Sequence, residues 1–165
     1  MRFELTQRFT HLPREVDEAY ADPTLYPTLV GLPKLGHIEV LEHQRKGDIA
    51  RFAIRFAFIG DLPGAVTAVV DPERLTWVQQ SEHHLDRGVT TFRLLPDHYP
   101  DRLSASGRVE VTSGDGGAQR VVAGELKVKA PLVAGRVENA IVSGLEEYLV
   151  AEAPAVDRFL GAAGA

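Results

Sequence analysis

One long helical pattern near the end of the chain constrains the fold more than any other feature of the sequence. It lies within KAPLVAGRVENAIVSGLEEYLVAEAP, residues 129–154. Apolar residues recur there every three or four positions, which predicts a helix over residues 132–152 with one apolar stripe. Pro131 suits the first turn of this helix, and Pro154 is expected to kink or end it. A helix of this length spans about 30 Å and needs an apolar surface to cover.

The segments before this helix alternate between apolar and polar residues, as half-buried strands do. Residues 2–11 form the first such segment, and three hairpins follow it. The hairpins are expected to turn at residues 46–48, 86–88 and 113–117, where glycines cluster with polar residues. The segment AVTAVVD, residues 65–71, is interpreted as one more short strand.

Two short helices are expected between the first strand and the first hairpin. Val16, Ala19 and Tyr20 favour a helix that begins near Pro13, and a second short helix follows Asp22-Pro23. The sequence therefore predicts an α+β fold with about six or seven antiparallel strands and one long terminal helix. One face of such a sheet is wet and the other is apolar, so the long helix is expected to cover the apolar face.

Length and composition limit the organisation and the function. The 165 residues suit one domain over residues 1–160, with a flexible tail over residues 161–165. The chain has no cysteine, which excludes disulfides, thiolate nucleophiles and cysteine-based zinc sites. A net charge of −5 argues against nucleic acid and anionic lipid as partners.

The expected setting of the protein is cytoplasmic. The opening segment MRFELTQRFTH carries charges throughout, so we do not expect it to be a signal peptide. No apolar stretch approaches the roughly 20 residues that a membrane-spanning helix requires, so no integral membrane contact is expected. We expect no cofactor, and either a monomer or a weak homodimer.

Neither a metal site nor a catalytic nucleophile is predicted. His83 and His84 are adjacent in a predicted strand and point to opposite faces. His37 and His43 can share a face, but six residues of strand separate them by about 20 Å. The serines do not lie in a Gly-x-Ser-x-Gly elbow, and the glycine-rich residues 113–117 are interpreted as a hairpin turn.

Small residues on the inward faces bear on whether the interior is hollow. A twisted antiparallel sheet curls, so a straight helix across its concave side contacts the rims more closely than the middle. Ala105, Gly107 and Gly124 lie on the inward faces of the last two strands, and Gly144 lies on the helix stripe. These residues either leave room for a ligand or allow close docking around a solid core, and the sequence leaves both open.

Two long segments resemble a known superfamily. FELTQRFTHLPREVDEAYADPTLYPTLV (3–30) resembles the opening strand and paired short helices of START-like proteins, also called the polyketide-cyclase-like or helix-grip fold. LKVKAPLVAGRVENAIVSGLEEYLVAEAPAVDRFL (126–160) resembles the last strand of that superfamily, which enters a long helix through a proline. Within the superfamily, the chain looks most like an uncharacterised bacterial family with a comparable PLVGGK/R-x-E segment.

The resemblance implies a cavity between the sheet and the long helix. Such cavities hold lipids, sterols, polyketides or other apolar molecules, and relatives include enzymes, carriers, sensors and activators of a chaperone ATPase. The residues expected to line the cavity and bind a small hydrophobic ligand are Gln7, Phe9, Phe56, Trp77, Gln79, Ala105, Gly107, Gly124, Val137, Ile141, Leu145, Tyr148 and Glu152.

Polar residues on the predicted inner face are candidates for fixing a ligand. Glu152 falls within the apolar stripe of the helix, where a carboxylate can act as an acid or anchor a ligand, unless it reaches solvent near Pro154. Gln7, His11 and Arg120 can each offer a polar contact inside a mostly apolar pocket.

Three functions remain open from the sequence. The first is a non-enzymatic binding or transport protein for a small hydrophobic molecule, because no acid–base pair is assembled by sequence spacing and no catalytic residue is predicted. The second is a cyclase or dehydratase for a polyketide-like substrate, with Glu152 or His11 as acid or base. The third is a partner-binding module, such as a chaperone cofactor or a stress-response protein.

Overall fold

The computed structural model describes residues 1–164 as one antiparallel sheet with helices around it. The strands are β1 (Arg2–Phe9), β2 (Leu35–Lys46), β3 (Ile49–Phe58), β4 (Thr76–His84), β5 (Val89–Pro96), β6 (Leu103–Gly114) and β7 (Gly117–Val128). The helices are α1 (Pro13–Tyr20), α2 (Gly64–Thr67) and α3 (Ala134–Ala163), and short 3-10 turns lie at Tyr26–Leu29 and Pro72–Arg74.

The sheet has seven strands in the order β1-β7-β6-β5-β4-β3-β2. The first two strands of the chain therefore form its two edges, and α1 with the 3-10 turn at Tyr26–Leu29 connects them. Helix α3 contacts β1 and β7 at one edge and β2 at the other, so the sheet curves around the helix. This arrangement is the helix-grip fold, and it confirms the predicted fold class together with the three predicted hairpins.

Helix α3 is longer than the sequence predicts. Pro154 lies inside it, and the helix continues to Ala163 through most of the segment expected to be a tail, while Ala165 lies outside the described residues. Pro154 itself is exposed, but Ala153, Ala155 and Val156 around it are buried. The packing of the buried residues on both sides of Pro154 thus keeps the chain helical through the proline. None of the helices within residues 1–164 is long and apolar enough to cross a membrane.

The segment between β3 and β4 is not a strand as predicted. Residues 64–67 form the short helix α2, and the side chain of Val66 is fully buried. The physical reason is topological, because β3 pairs directly with β4 over their whole length. A further strand between β3 and β4 in the chain could not pair with either of them at this place in the sheet. The apolar residues of the connecting segment are buried by the packing of the loop and α2 instead.

The inward glycines mark close packing rather than empty space. Gly107 on β6 and Gly124 on β7 are paired, and the rings of Phe92 and Phe3 lie over them from the flanking strands. A Cβ atom at Gly107 would lie 2.7 Å from Cζ of Phe92, and one at Gly124 would lie 2.9 Å from Cζ of Phe3. On α3, a Cβ atom at Gly144 would lie 2.6 Å from Cε2 of Phe58.

Candidate ligand-binding cavity

A cavity of about 140 Å³ lies between the concave face of the sheet and α3. Its wall is mostly aliphatic and aromatic, and residues of the middle and C-terminal part of α3 form one side of it. The volume is close to that of an engineered apolar cavity of about 150 Å³ that binds benzene. It is below the roughly 300–1,000 Å³ of pockets for drug-sized ligands. In this conformation the cavity therefore accommodates a molecule about the size of a single ring.

Eight of the thirteen residues predicted to line the cavity are in its wall. They are Phe56, Trp77, Gln79, Ala105, Ile141, Leu145, Tyr148 and Glu152.

The other five predicted residues lie outside the cavity wall. Gly107 and Gly124 are covered by phenylalanine rings, as described above. Phe9 packs edge-on against Tyr20, with 6.3 Å between the ring centroids. Val137 lines a smaller cavity of about 100 Å³ at the beginning of α3, and Gln7 lies behind the wall with its amide bonded to wall residues. These positions lie on the inward faces of their strands or helix, but about one helical turn or one ring away from the cavity. The periodicity of the sequence identifies the inward face and does not show which inward residues form the cavity wall.

A buried polar cluster forms one end of the cavity. The Tyr20 hydroxyl donates to Oε1 of Glu152 over 2.5 Å, and Nε2 of Gln7 donates to the same oxygen over 3.2 Å. Nη1 of Arg120 donates to Oε1 of Gln7 over 2.6 Å and lies 4.0 Å from Oε1 of Glu152. The Arg120 guanidinium also lies 3.9 Å from the centroid of the Tyr20 ring. We refer to Gln7, Tyr20, Arg120 and Glu152 as the polar cluster.

The polar cluster holds a charged pair away from solvent. Glu152 is 5 % exposed, so the alternative in which it reaches solvent near Pro154 is wrong. A buried carboxylate is tolerated when it is hydrogen-bonded and paired with an opposite charge, and Tyr20, Gln7 and Arg120 meet both conditions. Burial, opposed by the charge of Arg120, raises the pKa of Tyr20 well above its ordinary value. Tyr20 therefore remains a neutral donor to the carboxylate.

Tyr148 adds a second hydroxyl beside this cluster. It lies four residues before Glu152 on α3, so both side chains are on the same face of the helix. The side chain is 3 % exposed and lines the cavity. Its hydroxyl has no hydrogen-bond partner within residues 1–164. Burial, and then the negative charge of Glu152, raise the pKa of Tyr148 well above its ordinary value, so the hydroxyl keeps its proton.

His83 is a cavity residue that the sequence analysis considered only as a metal ligand. Its ring lies between Oγ of Ser81 and Oγ1 of Thr90, each 3.1 Å from a ring nitrogen. Burial, reinforced by the charge of Arg120, lowers the pKa of His83 to about 3. The imidazole is therefore neutral at physiological pH and serves as a polar part of the wall. The sequence could have indicated this position, because alternate residues of a strand share a face and His83 is on the same face of β4 as Trp77 and Gln79.

The other candidate acid–base residue, His11, is not at the cavity. Its Nδ1 lies 2.7 Å from Oδ1 of Asp157, close to the C-terminal end of α3. His11 follows the last residue of β1, where the chain turns into α1. The contact therefore joins the beginning of α1 to α3. His11 is not among the residues of the cavity wall, so it has no structural basis as an acid or base for a ligand in the cavity.

These features define a class of protein: a helix-grip fold with a mostly apolar cavity between sheet and helix and a buried polar cluster at one end. The chain belongs to the family described as protein of unknown function DUF2505, whose family model matches residues 4–160. No curated protein matches the sequence.

Solved structures share the fold at low sequence identity. TTHA0849 from Thermus thermophilus is 13% identical with a TM-score of 0.69, and the match covers 100% of both chains. The ZhuI aromatase/cyclase from Streptomyces sp. R1128 is 20% identical with a TM-score of 0.65, over 98% of this chain and 93% of that one. Ara h 8.0201 is 15% identical with a TM-score of 0.57, over 98% of each chain. These likenesses show that the helix-grip fold of this chain is shared by the three solved structures.

Proposed function

We propose that this protein binds a small, mostly apolar molecule in the cavity between the sheet and α3. The observation that carries the proposal is the cavity of about 140 Å³, whose wall is largely apolar and includes a few buried polar groups. Small-molecule sites commonly combine an apolar wall with a few fixed polar groups in this way. The proposal also agrees with the expected role as a binding or transport protein.

Toluene, whose single ring matches the cavity, tests the proposal directly. The wild-type protein is expected to bind toluene saturably, as followed by NMR titration of side-chain methyl groups. Ala105→Leu places a larger side chain in the wall from β6 and is expected to weaken binding by about tenfold or more. Ser104→Leu adds the same side chain on the exposed face of the same strand and is expected to change the Kd by less than about twofold.

Two outcomes of this titration contradict the proposal. One is a wild-type protein that shows no saturable binding of toluene or of any other single-ring hydrocarbon. The other is a folded Ala105→Leu protein that binds toluene as tightly as Ser104→Leu does. Thermal unfolding of both variants establishes that the comparison is between folded proteins.

A second candidate function is acid–base catalysis, because Glu152 is hydrogen-bonded to the Tyr20 hydroxyl over 2.5 Å inside the cavity. A carboxylate and a phenol in contact can move a proton on a bound substrate. A cavity of about 140 Å³ is too small for a linear polyketide, however, so this function also requires the cavity to open. Product formation from a linear polyketone that depends on the Glu152 carboxylate would favour it over binding alone.

The partner-binding hypothesis has less support. A filled interior together with a large exposed apolar patch would favour it. The cavity is inconsistent with a filled interior.

A further inference from the structure

The Tyr148 hydroxyl is a buried donor with no hydrogen-bond partner among residues 1–164. The residue is 3 % exposed, and no side chain or backbone acceptor within residues 1–164 accepts from the hydroxyl. Buried polar groups in native proteins are nearly always hydrogen-bonded, so each exception requires an explanation. Because Tyr148 lines the cavity, the missing acceptor can be supplied by an occupant of that cavity.

The nearest titratable neighbour of this hydroxyl is the Glu152 carboxylate, which receives hydrogen bonds from two other side chains. Oε1 of Glu152 already accepts from the Tyr20 hydroxyl and from the Gln7 amide. These two donors belong to α1 and β1. The Tyr148 hydroxyl thus has no hydrogen-bond acceptor among residues 1–164, and Tyr148 itself is part of the cavity wall.

The charged side chains at this end of the cavity favour a ligand group that is uncharged. Arg120 is the one cationic side chain in the described cavity wall, since His83 is neutral, and it lies 4.0 Å from Glu152. Its Nη1 also donates to Gln7. A ligand carboxylate or phosphate here would meet the Glu152 charge without an uncommitted cation to balance it, which is unfavourable in a buried site. A hydroxyl or carbonyl oxygen carries no such penalty.

We propose that the Tyr148 hydroxyl anchors the ligand by donating a hydrogen bond to it, and that the ligand is a neutral, mostly apolar molecule with one hydroxyl or carbonyl oxygen. This inference rests on the proposed function, since it assigns the polar end of the molecule that the cavity binds. The apolar part of the ligand lies along Ile141 and Leu145, which precede Tyr148 on the same face of α3. The oxygen lies at the end of the cavity nearest the polar cluster.

Phenol and toluene test this assignment, because they have nearly the same shape and differ in one oxygen atom. Their Kd values are measured for the wild-type protein and for Tyr148→Phe, which removes only the hydroxyl. Phenol is expected to lose about three- to tenfold in affinity in this variant, whereas toluene changes by less than about twofold. An equal change for the two compounds, or no change for either, would overturn the anchoring role of Tyr148.

Tyr26→Phe is the matched control. Tyr26 also lines the cavity, but its hydroxyl already donates to the backbone carbonyl of Tyr20 over 2.6 Å. Tyr26→Phe is expected to lower the melting temperature and to leave the ratio of the two Kd values unchanged. Tyr148→Phe removes an unpartnered group, so it is expected to keep or raise the melting temperature. A fall in phenol affinity of the same size in both variants would also overturn the inference.

The two proposals fail in distinguishable ways. If neither compound binds the wild-type protein, the proposed function itself is wrong. If toluene binds and phenol does not, the cavity binds apolar molecules and the assigned polar anchor is wrong. Preferential loss of phenol in Tyr148→Phe supports both proposals together.

Discussion

At the scale of single residues, the chemistry of the cavity depends on how the Glu152 carboxylate is held. Its Oε1 accepts two hydrogen bonds, and the charge of Arg120 lies 4.0 Å away. Removing one member of a buried ionic cluster leaves an uncompensated charge, which costs several kcal/mol. The polar cluster is therefore held in place by contacts among its own members, whereas the Tyr148 hydroxyl has no partner within residues 1–164 and is the group that we assign to the ligand.

Asp17 is a second buried carboxyl group, on α1, and it predicts a dependence of stability on pH. Burial raises the pKa of Asp17 to about 6, although the charges of Arg120 and Arg14 oppose the shift. A carboxyl whose folded pKa is raised stabilises the fold at low pH, and this contribution is lost as pH rises from about 4 to about 6. The ionised form at pH 8 therefore destabilises the folded protein.

Asp17→Asn is expected to remove this effect. Relative to wild type, the variant gains roughly 1–2 kcal/mol of unfolding free energy at pH 8, and the gain shrinks towards pH 4. The difference between the two proteins is the informative quantity, because the lowered pKa of His83 changes wild-type stability in the opposite direction. Urea unfolding at several pH values measures it, with Asp86→Asn at an exposed turn as the control. A constant difference across this pH range would contradict the assignment.

The sequence allowed us to predict that the Glu152 side chain faces inward, but not which residues form hydrogen bonds with it. The 3.6-residue period of α3 places Glu152 on the inner stripe with Leu145 and Tyr148. Tyr20 and Gln7 are separated from it by 132 and 145 positions in the chain. Such contacts depend on how β1 and α1 pack against α3, and no local pattern encodes that packing. The inner face was thus predictable, and the polar cluster was not.

At the scale of elements, local chemistry determined what could be predicted. The turn at Gly47 and the turn at Gly88 both use positive φ angles, for which glycine is suited, and both hairpins were predicted. The prediction of a strand over residues 65–71 was wrong, because their composition favours a strand while the pairing of β3 with β4 leaves no place for one. Pro154 was expected to interrupt α3, but the buried residues on either side of it maintain the helix.

The docking of α3 predicts an effect of a single methyl group at Gly144. Alanine normally favours a helix by about 1 kcal/mol over glycine. A Cβ atom at Gly144 would lie 2.6 Å from Cε2 of Phe58, so either the ring or the helix must shift. Gly144→Ala is therefore expected to lower the unfolding free energy by roughly 1–3 kcal/mol.

Gly135→Ala is the control for this prediction, because it lies on the same helix with no atom near the added methyl group. It is expected to leave stability unchanged or to raise it slightly. Chemical unfolding of the two variants measures the difference. Equal stability of the two alanine variants would show that α3 is not docked against Phe58 as described.

At the scale of the whole molecule, the size of the cavity limits the ligand. The main cavity of about 140 Å³ and the smaller one of about 100 Å³ share Leu75, Leu103 and Ile141 in their walls. The two spaces are therefore neighbours along α3, with these three side chains between them. A single-ring molecule therefore fits without rearrangement, whereas a longer ligand requires the cavity to extend towards the beginning of the helix.

The most direct test of the central claim is a crystal structure determined under xenon pressure, because xenon enters dry apolar cavities without needing a hydrogen bond. We predict electron density for xenon, or for a co-purified molecule, between the sheet and α3, next to Ile141, Leu145 and Tyr148. An interior in which those side chains fill the space, with no density for a bound atom or molecule, would contradict the claim that this fold encloses a ligand-binding cavity.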